Sequence, residues 1–242
     1  LTTDTRTGER RCRAERVVLT IGDMASVNHL GIPGEDLPHV THRLDDPHYA
    51  FRQRLLVVGG GNSALEFSAR CWRAGARVAL SYRRATFDPV FVKSGLLEDF
   101  RTIVRENNIR FLPRTVPVEI GPRYVTLAPT RQGRPIAGKS TRERADFVLL
   151  CTGYRADQGL LEEAGVTLDD LTGVPDFDDE TMETDVPGLY VAGTAANGNR
   201  TRHKLFIETT HHHVSRIVRH ITGAEPKRVN TLVPEGPPDF SI

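Results

Sequence analysis

The feature that most constrains the fold is a short apolar run that ends in three glycines. Residues 55–58 suit a buried parallel strand, the glycines break it from Gly59 onward, and an apolar-periodic helix follows. Gly59, Gly61 and Ala64 have the G-x-G-x-x-A spacing of a dinucleotide-binding fingerprint. In such a turn the first glycine allows the sharp bend, the second lets a pyrophosphate approach the backbone, and the alanine lets the helix pack closely on the strand. The N–H groups at the start of the helix then face the phosphates.

The end of the next strand indicates which dinucleotide binds. Sites selective for NAD usually place Asp or Glu about 20 residues after the turn, where it holds the ribose 2′-hydroxyl. This sequence has Tyr82, Arg83 and Arg84 there, and no carboxylate until Asp88. Two guanidinium groups suit an anionic 2′-phosphate, so the sequence predicts NADPH. The alternative is a glycine turn within a βαβ unit that binds no ligand.

Composition is that of an ordinary globular protein. Of 242 residues, 38% are hydrophobic and 26% are charged, which suits one large domain or two small ones. The formal net charge of +1 gives no overall field that would favour nucleic acid or an anionic membrane. No apolar run reaches the roughly 20 residues that span a bilayer. Cys12, Cys71 and Cys151 form no C-x-x-C pair, so we interpret them as buried apolar residues of a reducing, cytoplasmic protein.

The remaining pattern predicts alternating strands and helices. Strands are expected within residues 16–22, 109–112, 116–120, 124–127, 147–154 and 189–193, and helices over about 96–104, 158–165 and 204–221. In the last helix, His211, Val214 and Ile217 are predicted to lie on one side, together with Val218. Residues 1–15 are typical of a hairpin or a sheet edge.

The histidines are not predicted to bind metal. His39, His42 and His48 lie in a connector rich in His, Pro and Asp, and we interpret them as solvated loop side chains. Residues 211–213 are three consecutive histidines. Neighbours on a helix point about 100° apart, so these three cannot converge on one ion.

Three passages make the chain resemble the thioredoxin-reductase-like flavoprotein reductases. The first is the strand at residues 17–22 followed by L-G-I-P-G-E-D at 30–36; the second is the glycine fingerprint with its arginine pair; the third is T-D-V-P-G-L-Y-V-A-G at 184–193. A narrower resemblance, to the bacillithiol-disulfide reductases, rests on H-Y-A-F at 48–51, T-G-Y-R-A-D at 152–157, E-T-M-E-T at 180–184 and F-I-E at 206–208. The resemblance covers essentially the whole chain.

This resemblance implies an α/β fold with two dinucleotide-binding domains, in which an NADPH domain is inserted into an FAD domain. The expected boundaries are residues 1–50 for the first, incomplete FAD segment, 51–155 for the NADPH domain, 156–228 for the returning FAD segment and 229–242 for a tail. The intact protein is expected to be a homodimer that binds NADPH and FAD.

The residues implied to bind the cofactors fall into two sets. On the NADPH side they are Gly59, Gly61, Asn62, Ser63, Ala64, Tyr82, Arg83, Arg84 and Gly153. On the FAD side they are Gly22, Gly193, Thr194, Lys204 and Leu205, the last two at the start of the final helix. Glu66 either reaches the nicotinamide amide or is a solvated first-turn carboxylate. One of the three consecutive histidines is expected near the flavin or the dimer partner.

Two departures from the family pattern matter. Thr194 stands where many relatives have an Asp that binds the flavin ribityl chain, although a hydroxyl can still form a hydrogen bond. The sequence also lacks a separate FAD fingerprint ahead of Gly59, so we expect a fragment without the leading part of the fold. No cysteine occupies a position that matches the relatives' redox cysteines, so no catalytic residue is assigned.

The activity implied by the resemblance is hydride transfer from NADPH to FAD, with electrons passing on to a small-molecule or protein disulfide. No nucleic-acid or membrane partner is expected. Two alternatives stay open. A non-catalytic NADPH-binding module would explain the absent FAD fingerprint. A reductase that uses ferredoxin, a quinone or oxygen would keep the flavin and change only the acceptor.

Overall fold

A computed structural model describes residues 2–5, 8–11, 13–198 and 210–226. The strands are β1 (Thr2–Thr5), β2 (Gly8–Arg11), β3 (Val17–Leu19), β4 (Ser26–Val27), β5 (Val40–Thr41), β6 (Arg54–Val58), β7 (Arg77–Tyr82), β8 (Arg110–Pro113), β9 (Thr115–Gly121), β10 (Tyr124–Arg131), β11 (Arg134–Pro135), β12 (Thr141–Arg144), β13 (Phe147–Leu150), β14 (Tyr154–Arg155) and β15 (Leu189–Val191). The helices are α1 (Asn62–Arg73), α2 (Ser94–Arg105), α3 (Gln158–Glu163) and α4 (His211–Thr222), with 3₁₀ turns at Pro47–Ala50 and Gly193–Asn197.

The chain forms two compact units. Within the described residues, one unit, here called the divided unit, comprises residues up to 26 and from 154 onward, and the inserted unit comprises residues 27–153. The predicted insertion of one domain into another is therefore confirmed. The boundary differs from the expected one, because residues 27–50 belong to the inserted unit. Two contacts explain this: β5 pairs in parallel with β13, and the Ile120 N–H donates to the Pro33 carbonyl at 2.8 Å.

The inserted unit is built on a parallel sheet of five strands in the order β5-β13-β6-β7-β8. Its central strands are apolar along their length because both faces are covered. Leu55 and Val57 of β6 pack on one face with residues of α1 and α2, such as Leu65. Leu56 and Val58 pack on the other face, against the antiparallel strands β9 and β10. Alternate residues of one strand thus enter two separate core layers.

The divided unit is smaller in its described part. β1 and β2 form an antiparallel hairpin, one of the two predicted alternatives for residues 1–15, and β3 pairs in parallel with β15. Tyr190 and Val191 of β15 are buried together with Met182 and with Ile217 of α4. Leu161 of α3 is fully buried in a second cluster, which also contains residues of β3.

Two groups of sequence predictions need correction. The predicted side of the last helix is buried at Ile217 but not at His211 or Val214, which is 58% exposed, and the unpredicted His213 is buried instead. Residues 204–209 of that predicted helix lie outside the described part. The solvated interpretation holds for His48 but not for His39, whose ring contacts the Gly121 carbonyl at 3.1 Å, or for His42, whose side chain is 15% exposed.

Two further expectations concern the burial of the cysteines and the presence of membrane-spanning helices. Cys71 is fully buried and Cys151 is partly buried, and neither forms a disulfide; Cys12 lies outside the described residues. No helix within the described ranges is both long enough and apolar enough to cross a membrane.

Candidate dinucleotide-binding site

The glycine turn lies between β6 and α1, at the carboxyl end of the parallel strands. Gly59 has a φ of +147°, and a Cβ placed on it would lie 2.5 Å from the carbonyl oxygen of Cys151. Both the backbone conformation and the adjacent chain therefore require glycine there. Ala64 is fully buried and would lie 3.1 Å from the same Cβ, so the small residue lets α1 approach the strand.

Gly61 is a glycine for a different reason. Its backbone is extended, with a φ of −96°, and a Cβ added to it would meet no described atom within 4 Å. No side chain of the described residues caps α1, and its first turn holds no acidic residue. The exposed face of Gly61 therefore leaves room for an anionic group beside the N–H groups that begin the helix.

Asn62 and Tyr82 support the turn through their side chains. The Asn62 amide donates to the Phe91 carbonyl at 3.3 Å and accepts from the Lys93 N–H at 2.8 Å, so it fixes the segment that leads into α2. The ring of Tyr82 packs against Gly60 and stacks on Phe87, with ring centroids 5.1 Å apart. For Asn62, a cofactor contact would therefore come from the backbone N–H rather than the amide. Ser63 follows in the first turn of α1 and is half-buried.

The arginine pair follows β7 directly. The Gly59 N–H donates to the Ser81 carbonyl at 3.0 Å, so the end of β7 runs beside the glycine turn. The main chain of the pair is anchored, because the Arg83 carbonyl accepts from the Thr130 hydroxyl at 2.7 Å and the Arg84 carbonyl accepts from a backbone N–H at 3.1 Å. Both side chains are exposed.

The charged residues around the arginine pair leave the Arg83 guanidinium available to bind an anion. Arg84 lies 3.8 Å from Asp88 in an exposed i,i+4 pair, an arrangement that contributes little in water. Across the described ranges, no carboxylate lies within ion-pair distance of Arg83. Glu66 is 3.6 Å from Arg70 on the surface of α1, with 52% of its side chain exposed, which favours the solvated alternative for this carboxylate.

The end of β13 borders the turn and is held by a residue that sequence analysis missed. The Cys151 N–H donates to the Val58 carbonyl at 2.8 Å. Asn28 then brackets the next residues: its carbonyl accepts from the Thr152 hydroxyl at 2.6 Å, and its N–H donates to the Gly153 carbonyl at 3.0 Å. Gly153 has a φ of +95°. No pattern in the sequence singles out Asn28, because the contact joins residues 124 positions apart.

Three of the five predicted FAD-side residues lie just after β3 and β15 in the divided unit: Gly22, Gly193 and Thr194. Gly22 and Gly193 both have positive φ, at +73° and +71°. A Cβ on Gly22 would lie 3.8 Å from the Thr194 hydroxyl, and one on Gly193 would meet no described atom within 4 Å. The other two predicted residues, Lys204 and Leu205, lie outside the described residues.

His213 completes this second turn. Its Nδ1 accepts from the Gly193 N–H at 3.1 Å, which places the ring proton on Nε2 when the ring is neutral. The side chain is 4% exposed, and burial together with the neighbouring His212 and Arg216 lowers its pKa to about 4. The sequence predicted one histidine of the three near the flavin or the dimer partner, without distinguishing which one.

Both described cysteines are poor nucleophiles. Burial raises the pKa of Cys71 to about 11 and that of Cys151 to about 12. Because the thiolate is the reactive form, these two thiols remain protonated near neutral pH.

Comparisons with known proteins agree with this geometry. Residues 2–193 match the family described as pyridine nucleotide-disulphide oxidoreductase. Bacilliredoxin reductase Bdr of Bacillus subtilis is 34% identical over 86% of this chain and 62% of its own length. A ferredoxin–NADP reductase of Ignicoccus hospitalis is 26% identical over 73% of this chain and 55% of its own length.

Among solved structures, bacillithiol disulfide reductase Bdr (YpdA) of Bacillus cereus is similar with a TM-score of 0.81 and 29% identity, over 91% of this chain and 65% of that protein. The chain therefore spans less than two thirds of the length of these relatives. The predicted resemblance to bacillithiol-disulfide reductases is confirmed. The chain belongs to the pyridine nucleotide-disulphide oxidoreductase family.

Proposed function

We propose that the intact protein is an FAD-dependent oxidoreductase that takes hydride from NADPH and passes electrons through FAD to a disulfide. The observation that carries this proposal is the exposed arginine pair, Arg83 and Arg84, beside a glycine turn with one open face. Family membership supports the reaction class, and the site supports the choice of NADPH.

The residues of the inserted unit fit NADPH. The open face of Gly61 admits the pyrophosphate to the N–H groups of Asn62 and Ser63 at the start of α1. Arg83 and Arg84 bind the 2′-phosphate, where paired guanidinium groups form charge-assisted hydrogen bonds. Tyr82 and Ala64 set the shape of the turn, and Gly153 borders it from β13.

The described residues of the divided unit fit FAD, because they too leave open space at turn glycines. Gly22 and Gly193 leave space that a side chain would fill, and the Thr194 hydroxyl lies next to Gly22. His213 holds the Gly193 N–H and so fixes the turn. When bound, the flavin supplies the redox chemistry, and the protein supplies binding and orientation. Lys204 and Leu205, which lie outside the described residues, are proposed to face the flavin.

A disulfide is the proposed acceptor because the Bacillus subtilis relative is named a bacilliredoxin reductase and the Bacillus cereus relative a bacillithiol disulfide reductase. Cys71 and Cys151 take no part in the exchange on this proposal, since burial raises the pKa of both thiols and keeps them protonated. The acceptor meets the flavin or a thiol elsewhere in the intact, homodimeric protein.

Ferredoxin is a second candidate acceptor, because the Ignicoccus hospitalis relative is named a ferredoxin–NADP reductase. The non-catalytic NADPH-binding module is a third candidate, which would need only the inserted unit.

Protein expressed from its complete coding sequence separates these candidates. The proposal predicts a yellow protein whose flavin absorption is bleached by NADPH without oxygen and is restored by a low-molecular-weight disulfide. Restoration by ferredoxin, but not by disulfides, would favour the second candidate. A colourless protein that binds NADPH tightly would establish the module and contradict the proposal.

A further inference from the structure

Three side chains of the inserted unit converge outside the dinucleotide site. His29, Glu35 and His42 each offer one donor atom, and the three atoms lie within 4.8 Å of one another. All three residues belong to the segment that precedes β6. The predicted cofactor sites use none of them.

The two carboxylate oxygens of Glu35 have different surroundings. Oε2 accepts from the backbone N–H groups of Leu30 and Gly31, at 3.0 and 2.8 Å. Oε1 accepts from the Leu30 N–H at 2.9 Å and also faces the two imidazoles. Since the side chain is only 5% exposed, these contacts hold the carboxylate in one orientation, as outer-shell hydrogen bonds hold a metal-binding carboxylate.

The distances to Oε1 suit a shared ion better than hydrogen bonds. The Nδ1 of His29 lies 3.4 Å from Oε1, and the Nε2 of His42 lies 3.5 Å from it. Both exceed the usual range for a hydrogen bond. In tetrahedral zinc sites the metal lies about 2.0–2.1 Å from nitrogen and oxygen ligands, which separates two ligands by about 3.4 Å. Two of the three distances between donor atoms therefore already match those of a zinc site.

The remaining donor–donor distance, between the two imidazoles, can adjust. The His29 side chain is 62% exposed, so its ring can rotate to shorten this distance.

We propose that His29, Glu35 and His42 form a binding site for a divalent transition-metal ion of the zinc type. Two imidazoles and one carboxylate are a ligand set that zinc uses with a fourth, open position, which water fills here. The ion would fasten residues 29–42 to one another within the inserted unit. The alternative without metal is a carboxylate that forms ion pairs with two protonated imidazoles, and metal binding distinguishes the two.

The test is a titration of the full chain, stripped of metal with a chelator, with Zn²⁺ by calorimetry and with Co²⁺ by visible absorption. We expect one ion per chain and the intense absorption of four-coordinate Co²⁺. His29→Gln and His42→Gln should each weaken Zn²⁺ binding by about tenfold or more. His29 is exposed, so its variant is expected to keep the fold, which circular dichroism checks.

Two control variants make the result specific. His48→Gln removes an exposed histidine that pairs with Asp46 instead, and should leave the affinity unchanged. His211→Gln combined with His212→Gln removes two histidines of α4 and should also have no effect. Absence of saturable Zn²⁺ uptake would overturn the proposal, and so would uptake that survives His29→Gln but is lost in the α4 variant. Neither result depends on NADPH or flavin.

Discussion

The two units support their cofactor-facing turns in different ways. In the inserted unit, Leu55, Leu56 and Leu80 are each at most 1% exposed, because the parallel sheet is covered on both faces. In the described part of the divided unit, β3 pairs only with β15, and Val18 of β3 is 41% exposed. The strands before the first turn are therefore covered on both faces, whereas a strand beside the second turn is partly exposed.

The contacts of the turn glycines show the same contrast. Gly59 is pressed against the Cys151 carbonyl, whereas Gly193 has open space and is held by one hydrogen bond to His213. Gly59 is thus fixed by steric contact with the adjacent chain, whereas Gly193 is fixed by a hydrogen bond to a buried histidine, beside Ala192 and Ala195 of the core. Substituting these glycines tests whether the two turns differ in this way.

The largest effect is expected from Gly59→Ala. The new methyl group would strain the positive φ and contact the Cys151 carbonyl, so we expect a loss of about 3 kcal/mol in the free energy of unfolding. Gly193→Ala in the divided unit has only the positive φ to oppose it and should cost about 1 kcal/mol. Urea unfolding of both variants measures the difference. Equal losses would contradict the contrast between the units.

A second prediction concerns the pH dependence of the divided unit. Burial lowers the pKa of His213 from 6.5 to about 4, so the folded state resists a proton that the unfolded chain accepts. Its contribution to stability is therefore complete above about pH 6.5 and declines as the pH falls toward 4, by up to about 3 kcal/mol.

His213→Gln tests this prediction, because glutamine can accept from the Gly193 N–H but does not titrate. The variant should lose less stability than the wild type between pH 7 and pH 4.5 in urea unfolding. His211→Gln, at an exposed position, is the matched control and should follow the wild type. Parallel pH profiles for all three proteins would show that His213 is not a buried neutral histidine.

A smaller effect is expected from Gly61→Ala. With ordinary φ and open space, the alanine should leave the thermal unfolding midpoint nearly unchanged. Its methyl group would occupy the face proposed for the pyrophosphate and should weaken NADPH binding by about tenfold, or about 1.4 kcal/mol. Fluorescence titration with NADPH measures this. Unchanged affinity would mean that the phosphates do not approach Gly61.

The sequence predicted the elements of the inserted unit better than it predicted the buried side of the last helix. Residues 55–58 and the helix around Phe100 have strong apolar patterns, and the structure has β6 and α2 there. In α4 the pattern suggested that Val214 faces the core, but the buried polar residue His213 takes that side. A hydrogen bond to a distant glycine has no signature in local periodicity.

Contacts that are distant in sequence were also missed. Asn28 and Thr152 meet because two strand ends meet in space, and no spacing rule connects them. His42 lies in a polar connector, yet it packs beside the buried Glu35. Polar residues in loops are usually solvated, so the sequence alone could not predict the position of His42 beside Glu35.

The central claim is that an adenosine 2′-phosphate binds to Arg83 and Arg84 beside the glycine turn. The most direct test is to measure the affinities for NADPH and NADH in the double variant Arg83→Glu and Arg84→Glu. Arg101→Glu with Arg105→Glu, on the exposed surface of α2, is the matched control. Loss of two charge-assisted contacts predicts about a 100-fold fall in NADPH affinity, with little change for NADH. Equal losses for the two nucleotides would contradict the account.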